Sequence, residues 1–109
     1  MISVTLRYRD GVPVGFYSTG HAEYADPGSD IVCAAVSALI INTMNSIESL
    51  TPAVFEQTVE GDEEVTDSVE FMLTKSTPEA VLLMKSLVLG LSQIREEYEE
   101  FISVALEEV

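Results

Sequence analysis

The stretch Ser18–Leu39, STGHAEYADPGSDIVCAAVSAL, decides how this chain is read. It holds the only histidine, His21, and the only cysteine, Cys33. Its start belongs to an extended segment, and Gly20 frees the backbone just before His21. Asp26, Pro27, Gly28 and Ser29 are turn residues. Ser29 or Asp30 then caps a helix by accepting a backbone N–H. The helix is predicted over about Asp30 to Leu50. Its first half, Ile31 to Ile41, is apolar nearly all round, which predicts central burial. Asn42, Thr43, Asn45, Ser46, Glu48 and Ser49 turn the second half polar, and Pro52 stops it.

Upstream, Ile2, Val4, Leu6 and Tyr8 alternate with Ser3, Thr5, Arg7 and Arg9, the period of a half-buried strand. Asp10-Gly11 signals a two-residue hairpin turn. A second strand follows from about Val12 to Thr19, with Val14, Phe16 and Ser18 on one face. Pro13 suits a first or edge position in it. Downstream, Val54–Val59 reads as a third strand and Gly61–Glu64 as an acidic turn. Val65–Thr74 reads as a fourth strand, with Val69, Phe71 and Leu73 on one face. Pro78 fits the first position of a second helix with Thr77 as cap, although Ser76 with Glu79 would make a capping box one residue earlier. That helix runs to about Glu97 with an apolar set of Val81, Leu82, Met84, Leu87, Val88, Leu91 and Ile94. Gly90 inside it predicts a close approach by a neighbouring element. Phe101–Leu106 closes the chain as a fifth strand. The order ββαββαβ predicts a single α+β domain over residues 1–109, layered, with two helices and a mostly antiparallel sheet.

Apolar residues make up 47% of the 109 positions, which excludes a disordered chain. No apolar run free of polar residues reaches the roughly 18–20 that a bilayer span needs, and no signal peptide opens the sequence. The expectation is a cytoplasmic protein with no membrane partner. One cysteine makes no internal disulfide and no cysteine-rich metal site, so no metal or cofactor is expected. The net charge is −14, from 19 acids against 5 bases. That repels nucleic acid and favours encounter with a basic peptide or protein. Solubility alone also accounts for an acidic surface.

A thiol at a helix start and an imidazole at a strand end are the parts of a thiol nucleophile and its base. The thiolate is the reactive form of cysteine, and unpaired N–H groups at a helix amino end favour it. The spacing puts Cys33 in the first turn under either cap. The same amides are suited to receive an oxyanion. His21 would take the thiol proton and return it to the leaving amine. Asp30 is near enough in sequence to orient the ring but is also a cap candidate, so no triad follows. Ser37 lies one turn past Cys33 on the same face. A lone cysteine among Val and Ala is otherwise a small buried hydrophobe, and a lone histidine a surface residue.

The stretch closely resembles the signature of the ribosomal-processing cysteine proteases, the Prp or YsxB-like family. The resemblance rests on Gly20-His21-Ala22, Tyr24-Ala25, Gly28, Asp30 to Ala35 and Ser37-Ala38-Leu39. Length and element order extend it to the whole chain. It implies an endopeptidase, usually a homodimer, that removes a short N-terminal extension from ribosomal protein number twenty-seven of the large subunit, cutting after an aromatic-rich motif. It puts the nucleophile on Cys33 and the histidine on His21. Gly20 and the loop Ala22–Ser29 resemble the family segment that closes over substrate. An extended substrate would set its aromatic side chains in an apolar pocket, with Ile31 and Val32 in its lining. Two readings compete: a non-catalytic factor gripping a basic ribosomal protein through the acidic surface, and a structural domain with a sealed thiol.

Overall fold

The computed structural model describes residues 1–20, 29–61 and 66–109, with Ser29, Asp30, Thr66 and Asp67 described by backbone alone. Seven elements follow in the expected order: β1 Ile2–Arg9, β2 Val12–Thr19, α1 Ser29–Leu50, β3 Val54–Gly61, β4 Thr66–Lys75, α2 Pro78–Glu97 and β5 Ile102–Glu108. The strands form one sheet in the order β3-β4-β2-β1-β5. Three of its pairings are antiparallel, and β5 joins β1 in parallel, Ile102 beside Ile2.

The hairpin β1–β2 turns as its sequence demands. Asp10 and Gly11 both have positive φ, 53° and 77°, the backbone of a type I′ turn. Pro13 sits beside a register shift between Arg7 and Tyr8, and pairing of β2 with β4 begins only at Gly15. No ladder bond from position 13 is therefore required.

The alternating residues of the strands face one side and meet both helices there. Ile2, Val4, Leu6, Val14, Phe16, Phe71, Leu73 and Ile102 form one core with Val32, Val36, Ile40 and Ile47 of α1 and Ala80, Met84, Leu87 and Leu91 of α2. Phe71 stacks between Phe16 and Phe55, with centroids 5.3 and 4.9 Å away. On the opposite face Arg7 reaches Glu70 at 3.2 Å across the ring of Tyr17.

Two expectations about the helices hold and two are corrected. Thr77, not Ser76, caps α2: its hydroxyl accepts from the Ala80 amide at 3.1 Å, with Pro78 in the first turn. Gly90 does mark a close approach, for a Cβ there would lie 2.9 Å from Leu39 Cδ1 of α1. The first half of α1 is not buried all round. Val32 and Val36 are sealed, but Ile31 is 63% and Ile41 56% exposed. Two helices share one sheet face, so each covers the sheet with one side only. Leu82, placed in the apolar set of α2, is likewise exposed. By length and composition α1 is apolar enough to cross a bilayer, yet its stripe Val32, Val36, Ile40 and Ile47 is committed to the core. Boundaries otherwise shift slightly: β3 runs on to Gly61, β4 reaches Lys75 and β5 reaches Glu108.

Candidate active site

At the end of the sheet away from the Asp10-Gly11 turn, β2 finishes with Ser18 and Thr19, and Gly20 follows it. Gly20 is required there. Its φ is +97°, and a Cβ would collide with the carbonyl oxygen of Met1. Any side chain would both strain the backbone and strike the start of β1. Gly20 thus fixes how the chain leaves the sheet towards His21. His21 itself, with residues 22–28, lies outside the described residues, as do the side chains of Ser29 and Asp30.

Over this sheet end lies a cleft of about 220 Å³. Its floor is sheet: Ile2, Ser18, Val69 and Val59, with Thr19, Ser68 and the exposed Gly20 also in its lining. Its wall is α1: Cys33, Val36, Ser37, Ile40, Ile41 and Met44. Cys33 is a free thiol at intermediate exposure, touching the core on one side and the cleft on the other. That is the middle ground between a sealed structural cysteine and a surface one. Gly20 and Cys33 share the cleft, so the residue bonded to His21 and the sulfur open onto the same space. Ser37, exposed and one turn along α1, lies beside Cys33 on the wall.

Two expectations for the site change. The helix starts at Ser29, so Cys33 is its fifth residue, just beyond the first turn. Its own amide belongs to the helical ladder rather than to the unpaired set at the amino end, and the dipole's effect is strongest one turn earlier. Ile31 and Val32 do not line the cleft. Val32 points into the core, and Ile31 faces outward. The wall follows helical spacing from the sulfur itself, at positions 33, 36, 37, 40, 41 and 44, a stripe that was present in the sequence. Ile2, Val59 and Val69 carried no such signal, since strand pairing alone brings them under α1. Among the described residues no cluster of His, Cys, Asp or Glu has a metal-binding arrangement.

What this arrangement can do is thiol chemistry on a chain laid in a mainly apolar cleft. Known proteins agree. The profile of the family described as "Cysteine protease Prp" matches residues 1–103. The ribosomal processing cysteine protease Prp of Bacillus subtilis (strain 168) is 29% identical over 109 residues, covering 95% of this chain and 96% of the relative. A crystal structure of SMU.848 from Streptococcus mutans superposes with a TM-score of 0.86 at 28% identity, covering 100% of this chain and 96% of the other. The ribosomal processing protease Prp of S. aureus, solved with a covalently linked product peptide, superposes with a TM-score of 0.81 at 28% identity, covering 98% of this chain and all of the other. A match over nearly the whole length, on the same fold, with a half-open thiol in the cleft, makes this chain a cysteine protease of the Prp family.

Proposed function

We propose that the chain removes a short N-terminal extension from the precursor of ribosomal protein number twenty-seven of the large subunit, with Cys33 as nucleophile and His21 as acid and base. One observation carries the assignment of the nucleophile: a cysteine protease needs a thiol, this chain has one cysteine, and that cysteine opens onto the cleft. His21 is the only imidazole and follows directly on the glycine in the cleft's lining. The Cys33 thiolate attacks the scissile carbonyl, His21 protonates the departing amine, and the C–N bond breaks to leave a thioester. Water, losing its proton to His21, then splits the thioester and frees the thiol. Because the Cys33 amide is held in the helix, the oxyanion needs donors other than that N–H.

The choice of substrate rests on resemblance and charge. The B. subtilis relative is a ribosomal processing protease by name, and a net charge of −14 favours a basic partner. Ser37 is positioned on the wall to hydrogen-bond an extended substrate backbone. The reaction is placed in the cytoplasm, where ribosomal proteins are made, and the working unit is a homodimer, which light scattering of the pure protein tests. The decisive experiment uses a peptide spanning the extension. Wild-type protein should cut it at one bond, and Cys33→Ala should not, while both give the same circular dichroism. Cleavage by Cys33→Ala at the wild-type rate would remove Cys33 from the mechanism.

A further inference from the structure

One residue on the cleft floor breaks the pattern of its row. Register places Val59 beside Val69, Val69 beside Ser18, Ser18 beside Val4 and Val4 beside Val104. Residues directly paired across strands point to the same face. The row therefore crosses all five strands beneath the helices, and four of its five members are valine. Val4 is covered, 1% exposed, and Val104 packs against the core. Ser18, Val69 and Val59 instead floor the cleft, opposite Cys33 on the wall. Serine lacks the two γ-methyls that valine presents, and it is a poorer strand residue at a position where every row neighbour is β-branched. Packing alone would favour valine there.

We propose that Ser18 is the specificity-determining residue of the cleft: its small side chain sets the depth available to a bulky apolar side chain of the substrate beside the scissile bond. The proposal rests on the protease reading of the site. The walls supply the chemistry of recognition, since Val36, Ile40, Ile41 and Met44 are apolar. A larger residue at 18 fills the space from below. It should discriminate against large substrate groups and leave small ones unaffected.

The experiment compares wild type with Ser18→Val and Ser18→Leu in two assays. In the first, Cys33 is alkylated with iodoacetamide and with N-phenethyl iodoacetamide, which adds an aromatic tail. In the second, peptides carry Phe or Ala at the residue preceding the cleaved bond. Ser18→Leu should lower the phenethyl-to-parent rate ratio roughly tenfold or more, the range that a methylene-sized misfit commands in an apolar pocket. The Phe peptide should lose a similar factor in kcat/KM, mainly through KM, while the Ala peptide stays within about twofold. Ser18→Val should fall between, and because it matches the rest of the row it carries the comparison if Ser18→Leu does not fold. Variants that keep the wild-type reagent ratio and the wild-type Phe-to-Ala preference overturn the proposal. Wild-type protein that cuts neither peptide, while the reagent ratio still falls in the variants, overturns the protease reading and upholds Ser18 as the floor.

Discussion

The two helices are nearly equal in length, 22 and 20 residues, and lie on the same face of one sheet, yet they are built for different ends. α2 is anchored at both ends. Thr77 caps it, Glu79 sits in its first turn and Arg95 in its last, each complementing the helix dipole. Its buried residues Ala80, Met84, Leu87 and Leu91 form one stripe, and apart from Leu82 and Leu89 its outer side is chiefly polar. α1 has no basic residue in its last turn. Val36 and Ile40 belong both to its core stripe and to a second one, from Cys33 to Met44, that lines the cleft. Helix α2 spends its apolar face on the core alone. Helix α1 divides its own between the core and the cleft in which the proposed nucleophile lies.

Substitutions can break or sharpen that contrast. The largest effect belongs to Cys33→Ala, which should lower peptidase activity by about four orders of magnitude or more with no change in melting temperature beyond a few degrees. Unfolding of that variant would move Cys33 to the structural side of the comparison. His21→Ala should reduce kcat by roughly 10²–10⁴-fold, again with the fold intact by circular dichroism. On α2, Leu91→Ala should cost about 2–5 kcal/mol in urea unfolding, because Leu91 is fully buried, while kcat of the folded fraction stays at wild type. Thr77→Ala should cost about 1 kcal/mol by removing the one hydrogen bond to the Ala80 amide. Gly90→Ala should change least. The gain in helix propensity is about 1 kcal/mol, and it is offset by pushing aside the flexible tip of Leu39, 2.9 Å from the added carbon. A large loss there would show that the α1–α2 contact is rigid and that the helices are less independent than their roles suggest.

Local patterns were legible wherever the physics is local. The Asp10-Gly11 turn, the Thr77-Pro78 start and the alternation of Ile2, Val4 and Leu6 each follow from the backbone preferences or period of a few adjacent residues. Gly11 and Gly20 belong with them, since both hold positive φ. The burial of α1 is not legible in this way, because a run of apolar residues does not reveal how many neighbours will cover it. Ile31 is exposed and Ile41 borders the cleft because the second helix and the sheet leave those sides of α1 uncovered.

The sequence by itself settled the element order, the antiparallel bias of the sheet and the identity of the one thiol and one imidazole available for chemistry, since each is a matter of residue type and short-range spacing. Tertiary structure alone decided that β5 returns parallel to β1 and that Val59 and Val69 come to floor the cleft onto which Cys33 opens. Those outcomes depend on pairings between residues tens of positions apart. Only closing the sheet turns Ser18 from one polar residue in a strand into the gap in a row of valines.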